Sequence, residues 1–434
     1  MNKALLLKLA ILAVITALLC LVLAQIGGLV IERQARHQEA AAGIEQSLAG
    51  AQTLLGPLLM RHCKEVWTTP RGDIESRSFT LTAAPAQLQV SGGISPETRT
   101  RGLFKINTYG SRLSVAAHWT ELSALAPRAE RPGGRAECGD VIAMFSVSDA
   151  RGLRSAELKR GDQPLPVKPG TLHAAFRNGL HAPLPGLKLD ERLALSLMLD
   201  LVGSQRLALV PAAGSTSLAL QSSWQHPSFG GRFLPAERQV GVSGFSARWQ
   251  VSELASNAAA DVAAGKGALE VDTLAVELID PVNPYVMSDR AIKYGLIFIA
   301  LTFVTVGLTE LLTGRRVHPV QYLLVGLALS LFFLLLLSLS EHLPFLVAYL
   351  IAAGAAAAVL TQYAAAMLGG WLRGLAFGGG IALLYGALYV LLSREQTALV
   401  IGAVLLFAVL AAVMTLTRKL DWYRLGGQGD AEAE

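Results

Sequence analysis

Hydrophobicity is distributed along this chain in a way that few folds allow. One long apolar segment lies near the N-terminus, about 260 residues of ordinary polarity follow, and five more apolar segments fill the last third. A helix needs roughly 20 apolar residues to cross the hydrocarbon of a bilayer, where every backbone N–H and C=O has to be satisfied within the segment. The pattern predicts a polytopic α-helical membrane protein with six transmembrane helices and a large extracytoplasmic, mainly-β, sandwich-like domain. The expected boundaries are an N-terminal anchor over 1–31, a stalk helix and β-rich domain over 32–290, a five-helix bundle over 291–417 and a tail over 418–434.

The expected spans run from about Leu9 to Ile31, Tyr294 to Leu312, Val320 to Leu337, Leu343 to Tyr363, Gly374 to Leu392 and Thr397 to Leu416. The first is too long for the apolar core of a cleaved signal peptide and is read as an uncleaved anchor. Leu18-Leu19-Cys20 imitates a lipoprotein box except for the bulky Leu19. The short connections make consecutive helices antiparallel neighbours.

Charge assigns the sides. Lys3 and Lys8 open the first span, Arg315 and Arg316 follow the second, Arg373 lies between the fourth and fifth, and Arg418, Lys419 and Arg424 follow the sixth. The opposite short loops carry just Arg394. Basic residues favour the cytoplasmic side, so both termini are expected there and residues 32–290 in the periplasm of a bacterial inner membrane. That region holds 27 Lys and Arg against 25 Asp and Glu, which gives no electrostatic footprint for nucleic acid. In that topology Cys63 and Cys138 share an oxidising space, where a disulfide and two separate thiols are both open.

After the first span, Ile44, Leu48, Leu54 or Leu55, and Leu58 recur at helical spacing, predicting a stalk that stops at Gly56-Pro57. From Ser78 the period becomes two: Phe79 and Leu81, Leu88 and Val90, Phe104 and Ile106, then Leu113, Val115 and Ala117. Such alternation predicts antiparallel strands with one wet face. Gly92-Gly93, Pro132-Gly133-Gly134, Pro164 to Pro166, Pro183 to Pro185 and Gly214 read as turns, whereas Val141 to Val147 and Leu193 to Val202 read as strands buried on both faces.

The most distinctive stretch of the domain is Ser222 to Pro235, followed by Gly244-Phe245-Ser246-Ala247-Arg248-Trp249. Its aromatics, prolines and glycines predict a structured loop, with Trp224, His226, Pro227, Phe229, Arg232 and Trp249 as contact or loop-shaping residues. The plainer alternative is that Trp224, Phe229, Phe233 and Trp249 close the β core. His226 beside Ser222, Ser223 and Ser228 lacks the G-x-S-x-G elbow of a serine hydrolase, and no H-E-x-x-H, P-loop or strand-linked G-x-G-x-x-G is present. No catalytic residue, metal ligand or cofactor is assigned. In the membrane part the candidate polar sites are Glu310, His318, Gln321, Tyr322, Glu341 and His342. Glu310 is expected to snorkel or pair near Arg315 and Arg316, and Gln321 and Tyr322 to seal contacts between helices. Gly374 and Gly378 form a G-x-x-x-G pair, expected to bring helices close.

Several of these stretches carry a family resemblance. Ser288-Asp289-Arg290-Ala291-Ile292-Lys293-Tyr294-Gly295, the run from Arg316 to Ala328 beginning Arg316-Val317-His318-Pro319-Val320-Gln321-Tyr322, and Leu337 to His342 with Ala348-Tyr349-Leu350 resemble the CreD family of bacterial inner-membrane proteins. So do Gly56-Pro57, the Ser-Trp-x-His-Pro-x-Phe element at Ser223 and the Gly-Phe-x-Ala-x-Trp element at Gly244. Met60-Arg61-His62-Cys63 departs from the small apolar-proline continuation associated with the family, which bears on where the local strand starts. The resemblance implies a part in cell-envelope integrity. The family belongs to the output of an envelope- and carbon-responsive two-component system, tied to tolerance of colicins and β-lactams. It supplies no catalytic residues. The function expected is a non-enzymatic envelope protein recognising an unidentified periplasmic or inner-membrane partner, with bilayer lipids around the bundle. The alternative is a transporter or lipid-handling protein acting through the bundle.

Overall fold

The computed structural model describes residues 3–280, 283–313, 317–393 and 398–418. Arg315, Arg316, Arg394, Lys419 and Arg424, with most of the expected tail, lie outside the described residues. The chain forms two compact units, Glu39–Pro281 and Met1–Gln38 with Val282–Glu434.

Helix α1 (Lys3–Ser47) precedes strands β1 (Gln52–Thr68), β2 (Ile74–Ala83), β3 (Gln87–Arg101), β4 (Phe104–Trp119), β5 (Arg135–Cys138), β6 (Val141–Val147), β7 (Leu153–Arg160), β8 (Gln163–Leu165), β9 (Lys168–Pro169) and β10 (Gly179–Leu184). Then come β11 (Leu193–Ser204), β12 (Arg206–Leu209), β13 (Ser215–Ser222), β14 (Pro227–Gly231), β15 (Glu237–Gly241), β16 (Gly244–Ser252), the short helix α2 (Ala258–Ala263) and β17 (Leu274–Leu278).

The strands form a nine-stranded sheet, ordered β14-β17-β12-β1-β6-β10-β9 with β2 and β5 also on β1, and an eight-stranded sheet, β15-β16-β13-β3-β4-β11-β7-β8. Two pairs, β1 with β12 and β3 with β13, are parallel, so the sheets are mixed rather than wholly antiparallel. One core joins their facing sides, from Leu54, Phe145 and Val276 to Leu88, Val115, Leu197 and Trp249. The nine-stranded sheet has a second buried face, where Leu55, Leu58, Met60 and Met144 pack with Phe176, Ala258 and Val262. That double burial explains the continuous apolar run of β6. The first part of β11 differs. Leu193, Leu195, Leu197 and Leu199 are buried while Ala194, Ser196 and Met198 are exposed, so it covers one face rather than two.

The expected stalk ends early. α1 stops at Ser47, and Leu54, Leu55 and Leu58 belong to β1. The register against β6 shifts between Leu55 and Leu58, where Gly56 takes φ +99° and its peptide to Pro57 is cis. A bulge flips the parity of the strand. Leu55 and Leu58 consequently share one face and Leu54 and Leu59 the other, a spacing that imitates a helix. A Cβ on Gly56 would lie 2.8 Å from the Met144 carbonyl oxygen, so the bulge needs glycine. Met60-Arg61-His62-Cys63 is mid-strand, and Cys63 forms a disulfide with Cys138, its register partner on β5. Gly92-Gly93 lies inside β3 rather than at a turn, because the β4 backbone comes so near that a Cβ on Gly92 would meet the Arg112 carbonyl oxygen at 2.2 Å. Pro164 and Pro183 are likewise within strands, β8 and β10.

Near the disulfide, Glu65 is buried on β1. It accepts hydrogen bonds from the Arg77 side chain (2.7 Å) and the backbone N–H groups of Glu130 (2.8 Å) and Arg131 (2.9 Å). The Arg131 N–H above all, with Arg77 and the Glu130 N–H, holds its carboxyl below the ordinary glutamate range against the cost of burial.

In the other unit, α1 is joined by α3 (Pro284–Thr313), α4 (Pro319–Ser340), α5 (Phe345–Leu368), α6 (Trp371–Ser393) and α7 (Ala398–Thr417). Among the described residues five helices, α1 and α3 to α6, are long and apolar enough to cross a membrane, and α7 carries a shorter apolar stretch, Val400–Thr415. α6 is continuous, and its G-x-x-x-G pair does bring helices together: a Cβ on Gly374 would meet Ala365 at 2.5 Å, and one on Gly378 would meet Thr361 at 1.9 Å.

A carboxylate with a depressed pKa contributes stability above its unfolded pKa and loses it as pH falls through the folded one. The β unit should therefore lose thermal stability as pH falls below the ordinary glutamate value near 4.5. Glu65→Gln should start less stable and show a flatter acid dependence in calorimetry of the full chain; equal acid slopes would contradict the role given to Glu65.

Candidate functional site

Three groups of residues stand out, one on the β unit and two in the helical unit. On the β unit the Ser222 to Pro235 stretch is only partly loop. Pro227–Gly231 forms β14, which pairs with β17 and places Phe229 opposite Val276. Phe229 meets Phe245 and Trp249 edge-on, each with ring centroids 5.7 Å apart. Trp249 is fully buried and donates from Nε1 to the Phe233 carbonyl (3.1 Å), so it shapes the stretch and cannot touch a partner. The Trp224 indole donates to the carbonyls of His226 (3.0 Å) and Ile279 (3.2 Å), fastening the turn to the end of β17. Gly231, at φ +82°, allows the turn out of β14, where a Cβ would strike the Thr273 carbonyl at 2.1 Å.

The chain then leaves the sheet. Arg232, with its side chain 72% exposed, contacts Asp272 at 3.5 Å. Leu234, Val240 and Val242 project into solvent, and every residue of edge strand β15 is exposed. His226 is exposed and, among the described residues, its ring makes no hydrogen bond to a serine or a carboxylate; the Ser222 hydroxyl accepts from the Trp224 backbone N–H at 3.2 Å. The aromatic residues thus close the core, and what they hold out is the Leu234–Val242 segment, which sequence reasoning missed. Its signal was apolar residues in a stretch without alternation.

In the helical unit, Glu310 of α3 forms an ion pair with Lys8 of α1, while Arg315 and Arg316, near which it was expected to snorkel or pair, lie outside the described residues. It also accepts from the Tyr322 hydroxyl of α4 at 3.1 Å, and the Lys8 ammonium lies 5.8 Å from the Tyr322 ring centroid. This joins three helices at one point. Tyr322 therefore makes the interhelical contact expected of it. Gln321 does not. Its Oε1 accepts from the His318 backbone N–H (2.9 Å) while His318 Nδ1 accepts from the Val320 N–H (3.3 Å), a reciprocal cap that closes the start of their own helix.

At the opposite ends of the same helices, Arg33 of α1 faces Glu341, the residue that ends α4, at 3.6 Å. Tyr285 of α3 interacts with the same carboxylate, and the His37 ring lies 5.9 Å from that of Tyr285. His342 is exposed, and its backbone N–H bonds the Leu339 carbonyl. Lys8 and Arg33 were not among the expected site residues, although each flanks the first apolar run. Between these ends lies an aromatic core of Phe298, Phe332, Tyr349 and Tyr385, in which the Tyr349 hydroxyl donates to the Tyr385 carbonyl at 2.6 Å. Among the described residues no cluster of three or more His, Cys, Asp or Glu is arranged to hold a metal.

Membrane-length helices tied by ion pairs at both ends, together with a folded two-sheet β unit, define a polytopic membrane protein with one large extramembrane domain. The chain matches the model of the family described as inner membrane protein CreD over residues 4–423, and it belongs to that family. It is 37% identical over 401 residues to the inner membrane protein CreD of Escherichia coli (strain K12), covering 91% of this chain and 88% of that protein.

Removing one partner of a buried ion pair strands the other charge, whereas removing both does not. With Lys8 at 29% exposure, Lys8→Met should destabilise the purified full chain by about 2 kcal/mol, less than a fully buried pair would give. Adding Glu310→Gln should recover most of the loss in a thermal shift assay. Additive losses in the double variant would contradict the pairing.

Proposed function

We propose that this protein is a non-enzymatic cell-envelope integrity protein, whose β domain faces the periplasm and recognises an envelope component while the helices anchor it. Its contribution is to envelope stress tolerance, including tolerance of colicins and β-lactams. Orientation is supported by basic residues at one end of the bundle. α1 starts there with Lys8, α6 starts there with Arg373, and α7 ends there before Arg418. Short basic flanks of this kind favour the cytoplasmic side, which supports a reading with both termini inside and the intervening β domain outside.

The observation that carries recognition is the Leu234–Val242 segment, with Leu234 at 66% and Val242 at 91% exposure. Exposed apolar side chains on an unpaired sheet edge are a surface that soluble domains ordinarily protect, and a rigid base reduces the entropy lost on binding. Here the base is Trp224, Phe229 and Trp249. Phe229 itself packs against the core and is less suited to contact than its neighbours.

In-cell photocrosslinking from Gln225 and Val242, followed by mass spectrometry, tests this reading. One envelope component captured at both positions, and not from a position on the far edge such as Pro164, is the expected result. Normal protein levels without any specific adduct would overturn recognition at this edge.

A further inference from the structure

The Arg33–Glu341 end of the helical unit is unfinished as a purely structural contact. Glu341 is only 8% exposed, and although Tyr285 interacts with its carboxylate, its Oε1 is buried without a hydrogen-bond partner among the described residues. The hydroxyl of Ser288, one helical turn along α3 from Tyr285, is also buried and makes no hydrogen bond among the described residues. Leaving such groups unsatisfied costs about 1–3 kcal/mol each, and more for a charge. Arg33 does not complete the site, because its Nε lies 3.6 Å from Glu341 and, among the described residues, its guanidinium makes no hydrogen bond. Nor does helix stability account for the carboxylate. Glu341 stands at the C-terminus of α4, where the helix dipole disfavours negative charge, and the cap of α5 is Pro344, without a side-chain bond.

These groups set out a paired demand. A buried carboxylate oxygen and a hydroxyl call for a compact cation that donates hydrogen bonds, and the 37% exposed Arg33 fork calls for an oxyanion beside it. We propose that this end of the helical unit binds a phosphoethanolamine group, its primary ammonium on Glu341 and Ser288 and its phosphate on Arg33. Such a group is the headgroup of an aminophospholipid, and it lies at the depth where these helices end. A choline headgroup carries no N–H and fails the first demand. This site is independent of recognition at the β15 edge, and either can fail without the other.

The test uses the full chain in nanodiscs of equal phosphatidylethanolamine and phosphatidylcholine, released for native mass spectrometry, with glycerophosphoethanolamine added to phosphatidylcholine-only discs as a second arm. Selective retention of phosphatidylethanolamine, falling about tenfold in Glu341→Gln, is expected from loss of one charge-assisted contact. Binding of the soluble ester alone would keep the site and assign it a soluble ligand. Ser288→Ala, which preserves volume and charge, should weaken retention about threefold and guards against a misfolded Glu341 variant. Equal retention of both lipids with no binding of the ester, or retention unchanged in both variants, overturns the proposal.

Discussion

Two ion pairs fix the register of the helical unit. Lys8 and Arg33 are separated by about 25 residues of unbroken helix, roughly 38 Å at 1.5 Å per residue, close to the thickness of a bilayer core with its interfaces. The apolar side chains between them are as compatible with lipid as with protein, so hydrophobicity alone cannot tell α1 how far to slide or which way to turn. Charges can, because a displaced one would be unpaired at low dielectric. With Lys8 on Glu310 and Arg33 on Glu341, α1 runs antiparallel to α3 and parallel to α4. Small residues then let the helices close: Leu19 fills the space beside Gly326, and Leu23 lies against Gly295.

The β unit solves a different problem. A sheet with both faces buried needs every strand in register, and a one-residue slip would exchange its two cores. The bulge at Gly56-Pro57 performs that exchange once, deliberately, placing Leu54 and Leu59 between the sheets while Leu55 and Leu58 meet α2 and its neighbours. Buried polar side chains lock the result. The Tyr109 hydroxyl donates to the Arg206 carbonyl, Trp119 donates to Ala83, and Glu65 gathers the chain around the Cys63–Cys138 disulfide.

Patterns that repeat were legible and contacts over long separations were not. Membrane-length apolar runs and the alternation of Leu113, Val115 and Ala117 led to the right elements, because each reports burial by its immediate neighbours. Leu54 to Leu58 misled, since a bulge converts strand parity into helix-like spacing. Gly92-Gly93 misled because a glycine demanded by the approach of β4 looks the same as one in a turn. The polar sites divide in the same way. Tyr322 and Glu310 could be singled out as polar groups in apolar surroundings, but the partner of Glu310 is Lys8, some 300 positions away. Gln321 was misplaced because a capping box is a local device that also uses a long polar side chain.

Paired through Lys8 and Arg33, α1 is a working part of the helical unit rather than a detachable anchor. That claim is tested most directly by cysteine crosslinking in membranes, in a chain with Cys20 replaced by serine and a protease site placed near Gly265. Leu23→Cys with Gly295→Cys should join the two fragments under mild oxidation, while Leu18→Cys, replacing a side chain that is 49% exposed, should fail with the same partner. Equal yields from both pairs, or none from either, would contradict a fixed register for α1.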